Sequence, residues 1–227
     1  ERNYMKKVYS HPVGFVEHLG FQLIGINLEN VSKKEESEAL EQGFLLDIKK
    51  EEEIWYQCRS TRVNVESYIN TPYNGEWAYS TDLNAFKRLY KRFVTKRQFY
   101  VHPGDIEVNK RDKLIAYSIN DVVHGISKIR TYTNTFECNL FVHDDEVRGL
   151  GKKTFAHEFY LANQSGQQYV YTGPGYEKSS IYKADLKGFE WWNGNVWSKD
   201  RDEYIKLCKR DSRVKTLEDI SRIWDNS

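Results

Sequence analysis

Residues 135–176 read TFECNLFVHDDEVRGLGKKTFAHEFYLANQSGQQYVYTGPGY. The first nine residues, TFECNLFVH, are rich in aromatic and β-branched side chains and read as a strand. A polar, Gly-containing loop, DDEVRGLGKK, interrupts. KTFAHEFYLANQSG then reads as a helix that ends at Gly166. The next strand, QQYVYTG, stops at Gly173-Pro174-Gly175. Upstream, DKLIAYSIND and GISKIRTYT are two more β-rich runs, with turn chemistry at 121–125 and at Asn134. The order is therefore three strands of a meander, a Gly loop, a helix and a further strand.

Composition sets the outer limits. The chain has 227 residues, 39% hydrophobic and 30% charged, which fits a globular protein with a sizeable core and not a disordered one. Formal net charge is +1, so any contact with nucleic acid has to come from a local patch. The three cysteines, Cys58, Cys138 and Cys208, form no CxxC pair and no even set, so neither a disulfide scaffold nor a zinc cluster is expected. No apolar run approaches the roughly 20 residues of a membrane span. No leader pattern opens the sequence. A reducing cytoplasm is the expected setting, with no metal and no membrane partner.

The N-terminal half adds a helix at 32–42, SKKEESEALEQ, with Gly43 as its C-cap. FLLDI and IWYQCRSTRVNV read as strands around the acidic turn KKEEE, and Val63 and Val65 alternate with polar residues as in a half-buried strand. TPYNG at 71–75 is a turn. In 80–98, Leu83, Phe86, Leu89, Tyr90 and Phe93 fall on one helical face, with Ser80, Thr81 or Asp82 available as cap. The opposite face carries Lys87, Arg88, Lys91 and Arg92, followed by Lys96 and Arg97. Such a face either is simply solvated or tracks phosphates.

The loop Arg148-Gly149-Leu150-Gly151-Lys152-Lys153 opens a helix. Free N–H groups at a helix N-terminus bind phosphate or carboxylate, and glycines let such a group come close. Arg148, Gly149, Gly151 and Lys152 are the candidate donor-binding residues, although a plain turn reads the same way. After the next strand, Gly173 and Gly175 let the backbone bend, and Tyr182 and Lys183 return polar side chains. His124, His143 and His157 lack ligand spacing and are expected at the surface. The tail GFEWWNGNVWS reads as a tryptophan-rich hairpin turning at Asn193-Gly194, followed by a capped helix, SKDRDEYIKLCKRD, and a last amphipathic turn at 217–224.

A meander followed by R-x-x-G-x, a helix and a strand resembles the core of the GNAT acyltransferases, whose loop cradles the pyrophosphate of acyl-CoA. Here Lys153 stands where that pattern ends in Gly or Ala. The surroundings are similar to a narrower family, the arginyl-tRNA–protein transferases. DKLIAYSINDVVHGISKIRTY, RGLG, Glu158, YVYTGPGY and the following Tyr182-Lys183 match its C-terminal half. EQGFLLDIKKEEEIWYQCRSTRVNVESY is similar to its N-terminal region. The likeness spans roughly 38–190. The chain departs from the family in keeping only Cys58 of a cysteine cluster and in having Leu45 where an Arg is usual.

The resemblance implies an α+β fold: a GNAT-like mixed sheet with flanking helices over 78–200, a small N-terminal subdomain over 1–77 and a helical tail over 201–227. It further implies an enzyme, an aminoacyltransferase that moves an amino acid from aminoacyl-tRNA to the amine of a protein N-terminus or small molecule. Tyr171, Tyr176, Glu158 and Asp121 are the acids, bases and hydroxyls that the resemblance implies for it. No cofactor is needed for that reaction. An acyl-CoA-dependent N-acyltransferase, with acyl-CoA as co-substrate, and a non-catalytic binding module are the alternatives.

Overall fold

The computed structural model describes residues 5–9, 26–49, 52–70, 72–97, 106–176 and 178–213. Contacts divide the chain into two compact units, one of residues 1–62 and 173–227, the other of residues 63–172. The fold is α+β, as expected, with a large mixed sheet and flanking helices. Among the described residues no helix is long and apolar enough to cross a membrane.

The 63–172 unit holds the meander and its helices. Strands β6 (Glu76–Ser80), β7 (Asp112–Ile119), β8 (Val122–Thr131), β9 (Phe136–His143) and β10 (Tyr169–Pro174) lie in the order β10-β9-β8-β7-β6. Antiparallel pairing links β6 through β9, whereas β10 runs parallel to β9. A parallel neighbour needs a crossover, and α3 (Leu150–Gln164) supplies it. The turn between β7 and β8 puts Asn120 and Asp121 at positive φ (51° and 64°), where Asn and Asp are the best-tolerated residues after glycine. Helix α2 (Leu83–Lys96) starts at Asp82, whose side chain accepts from the Ala85 N–H. Its Phe86, Leu89, Tyr90 and Val94 pack on Leu114, Ala116, Ile126 and Val142 of the sheet; of the expected face, Leu83 is exposed and Phe93 only partly buried, and Val94 joins instead.

Two expectations need correction here. EWAYS, left outside any element by the sequence reading, is the edge strand β6; four of its five residues are exposed, so it lacks the alternation that marks a strand. The run RVNVESY is a strand only as far as Asn64; a 3-10 turn at Val65–Tyr68 follows, capped by the Asn64 side chain on the Glu66 N–H.

The other unit pairs β1 (Lys6–Tyr9), β2 (Ile26–Glu29), β4 (Glu52–Gln57) and β3 (Phe44–Lys49) in that order. Helix α1 is shorter than expected, Glu36–Glu41, and Gly43 follows it at φ 77°. Strands β11 (Phe189–Trp192) and β12 (Trp197–Ser198) form the tryptophan hairpin around Asn193-Gly194. Helix α4 (Arg201–Asp211), capped by Asp200 on the Glu203 N–H, buries Tyr204 and Cys208 against Ala184, Phe189 and Trp191. Strand β5 (Ser60–Asn64) and β10 each begin in one unit and end in the other. The amphipathic turn expected at 217–224 lies outside the described residues.

Candidate functional site

The two faces of the meander carry different chemistry. On the α2 side, Asp112, Arg130 and Glu137 stand opposite one another across β7, β8 and β9. Arg130 Nε donates to Asp112 Oδ1 at 3.1 Å, and Lys128 Nζ is 3.6 Å from Asp112 Oδ2. The Tyr132 hydroxyl donates to Glu137 Oε2 at 2.8 Å. All are buried, with the Asp112 side chain at 0% exposure. Two cations and two carboxylates thus leave water together, which is tolerable only because they pair. Burial pushes the Lys128 ammonium pKa down, against the pull of Asp112.

Glu137 is also the register partner of Tyr171 across the parallel ladder. No other register pair joins β9 to β10 among the described residues, and β9 runs on to His143. Between Lys128 and Ile129 the β8–β9 register shifts, because Lys128 faces Leu140 while Ile129 faces Cys138. Asn139 is the extra residue, a β-bulge beside the place where β10 joins.

On the opposite face, α3 sends Glu158 and His157 into the sheet, 2% and 1% exposed. Tyr117 Oη lies 3.1 Å from His157 Nδ1 and 3.4 Å from Glu158 Oε1. Burial pushes the Glu158 carboxyl up, opposed by hydrogen bonds with Cys138, Ser127 and Tyr117. Burial also holds His157 down at about 4. Trp77, Tyr73 and Tyr117 ring the imidazole at 4.5, 5.5 and 5.7 Å. His157 is therefore a core residue and not the surface residue expected of it. His124 and His143 are partly buried.

Helix α3 starts at Leu150, earlier than the sequence reading places it, so Gly151 and Lys152 occupy its first turn. Gly149 is the N-cap residue at φ 75°, a conformation that favours glycine, and no side chain caps the helix. Nothing lies within 4 Å of where a Gly149 Cβ would point. Arg148 and Lys152 are both exposed beside it. The α2 cations Lys87, Arg88, Lys91 and Arg92 are all exposed, whereas Lys96 and Arg97 pair with Asp145 at 3.2 and 3.0 Å.

The sequence candidates do not all converge. Tyr171 belongs to the Glu137 face and Glu158 to the Tyr117 face, so the sheet separates them. Asp121 adjoins Val122, eight residues along β8 from Arg130, or about 26 Å at strand rise, so it cannot share an atom with Tyr171. Asp121 is exposed in its turn, its N–H donating to Glu76. Gly173, Gly175, Tyr176, Tyr182 and Lys183 belong to the other unit. There the Arg59 N–H donates to the Tyr176 hydroxyl at 2.8 Å and the Gly175 N–H to Arg59 O. Gly175 packs so tightly on Tyr204 that any Cβ would enter its ring. Lys183 is buried and donates to Pro174 O at 2.8 Å, which anchors the Gly-Pro-Gly turn from inside, while Tyr182 is exposed.

Sequence reasoning missed Asp112, Lys128, Arg130, Glu137 and Asn139. Charges at alternate strand positions imitate a solvated face. The available signal was that Lys128 and Arg130 lie on the middle strand of a meander, where both faces are covered.

No protein-family model and no curated protein matches the chain. Solved structures do. The C-terminal DUF2156 domain assigned to a lysylphosphatidylglycerol synthetase of Agrobacterium fabrum aligns over 67% of this chain and 55% of its own, at 6% identity and a TM-score of 0.41. L-PGS from Bacillus licheniformis aligns over 77% and 62%, at 8% identity and TM-score 0.39. A GCN5-related N-acetyltransferase from Kribbella flavida aligns over 60% and 52%, at 9% identity and TM-score 0.35. The alignments span less than two thirds of each of these chains.

Proposed function

We propose that this chain is an aminoacyltransferase that moves an amino acid from aminoacyl-tRNA to the amine of a protein or small-molecule acceptor. The observation that carries the reading is the start of α3. A 15-residue helix begins without a side-chain cap directly after β9, with Gly149 at positive φ, open space above it and Arg148 and Lys152 alongside. The Leu150 N–H turns to Val147 O, and the N–H groups that follow it, with the positive end of a helix dipole, suit a phosphate of the donor. The exposed cations Lys87, Arg88, Lys91 and Arg92 of α2 suit the rest of a polyanion.

The chemistry asks little of the protein, because the ester is already activated. The acceptor amine attacks the ester carbonyl. A C–N bond forms, the C–O bond to the ribose breaks, the amine loses a proton to a base, and the ribose oxygen takes one up. Positioning and oxyanion stabilisation supply the acceleration. We assign the oxyanion site to the β9 backbone around Asn139, where the ladder to β8 is interrupted. Tyr171, held opposite Glu137, is the assigned proton donor to the leaving oxygen. Glu158 and Asp121 are not assigned to that step, since they lie on the other face and at a remote turn.

The test is donor binding. Aminoacyl-tRNA and acetyl-CoA are titrated separately against the full chain and against Arg148→Ala and Gly151→Asp. Tight tRNA binding that both substitutions weaken supports the reading. Tight acetyl-CoA binding with no affinity for tRNA replaces it with an acyl-CoA-dependent enzyme.

A further inference from the structure

The unit of residues 1–62 and 173–227 contains a cavity of about 600 Å³ lined by Cys58, Arg59, Tyr176, Trp191, Trp192 and Glu203, among others. Three of its lining residues, Arg59, Tyr176 and Trp192, keep donors beyond their internal pairing. Arg59 spends Nη1 on Asp211 Oδ2 at 2.6 Å and on Gly175 O at 3.2 Å. Its Nε and Nη2 have no partner among the described residues, although the side chain is only 10% exposed. The Tyr176 hydroxyl accepts from the Arg59 N–H, and its own proton has no described acceptor. Tyr176 is 6% exposed. Trp192 is 8% exposed, and its Nε1–H is buried without a partner. The Trp192 indole N–H is thus buried without an acceptor beside a cavity that Arg59, with two N–H edges unspent, and Tyr176 also line, a costly arrangement for the indole if it stays that way.

We propose that this cavity is a binding site for a small carboxylate with an apolar body. The Nε–Nη2 edge of a guanidinium matches the two oxygens of a carboxylate, giving a bidentate, charge-assisted pair. Asp211 fixes the plane of that edge from the other side, and the Tyr176 ring lies 5.0 Å from the guanidinium carbon. Trp191 and Trp192, both buried, supply apolar lining. The site lies wholly within one unit and does not depend on the transferase reading.

The probes are 3-phenylpropionate and its neutral amide, measured by calorimetry on the full chain. The acid is expected to bind about tenfold or more tighter than the amide, the range of a charge-assisted hydrogen bond. Arg59→Lys keeps a cation for Asp211 but loses the fork, and Tyr176→Phe keeps the ring but loses the donor. Each is expected to lower the melting temperature, since Tyr176→Phe orphans the Arg59 N–H and Arg59→Lys disturbs the Asp211 and Gly175 contacts, and, measured well below the transition, to weaken the acid about tenfold while leaving the amide unmoved. Equal binding of acid and amide, acid binding indifferent to both substitutions, or binding of neither probe overturns the proposal.

Discussion

Glu137 and Tyr171 stand opposite each other across the parallel β9–β10 ladder, and this is where the sheet's buried charges meet its parallel pairing. From Glu137 the line of ionised groups continues through Arg130 to Asp112. A substitution at one end therefore leaves uncompensated charge in the middle of the fold.

Asp112→Asn tests that line. It removes the carboxylate that faces both Arg130 and Lys128 and leaves two buried cations with less compensation. A loss of about 3–5 kcal/mol is expected in urea unfolding, with the slope of the transition unchanged. A loss within about 0.5 kcal/mol, as at an ordinary surface position, would show that the network is solvated.

The imidazole of His157 titrates at about 4 in the fold because burial disfavours its charged form. The unfolded chain binds that proton near 6.5, its ordinary value. The contribution of His157 to stability is therefore complete above pH 6.5 and lost as pH falls towards 4. His157→Gln should flatten stability against pH across that window. A slope identical to that of the parent would place the acid sensitivity elsewhere.

Glu158 has the opposite sign. Its pKa is raised by burial, so the folded chain holds the proton above pH 4.5 and stability falls as pH rises from there. Glu158→Gln removes the charge and keeps the shape. The variant should gain on the parent at pH 8 relative to pH 4.5 in paired denaturation curves. If instead the parent is relatively the more stable at pH 8, the carboxyl is ionised and paired.

Gly175→Ala would drive a methyl group into the Tyr204 ring, which is fully buried. Overpacking of this kind costs about 1–3 kcal/mol. Tyr204→Phe removes only the hydroxyl and should return part of that loss when combined with it. Additive losses in the double variant would exclude the contact as the cause.

What the sequence made legible follows from local signals. The meander was readable because Asp121 and Asn134 punctuate it, and α2 because Phe86, Leu89 and Tyr90 repeat at helical spacing. The loop at Arg148–Lys152 was readable as a helix start, although the helix begins at Leu150. Strand β6 was not, because a mostly exposed edge strand has no buried face to impose alternation. His157 was misread because the rings that bury it, Tyr73, Trp77 and Tyr117, come from separate segments. The Asp112–Arg130–Glu137 line was hidden for the same reason, since each partner lies on a different strand.

The α2 cations offer a graded check on the nucleic-acid reading. Replacing Lys87, Arg88, Lys91 and Arg92 with Gln should make the slope of log affinity for tRNA against log salt shallower by about 3. An unchanged slope would leave them as a solvated face.

The most direct measurement is transfer itself. tRNA charged with a mixture of radiolabelled amino acids is incubated with the full chain and an amine acceptor, such as a peptide library with free N-termini. The expected result is label moved from tRNA to acceptor, dependent on both chain and acceptor and lost in Gly151→Asp. Label that stays on tRNA with every acceptor, alongside acetyl transfer from acetyl-CoA, would contradict the account.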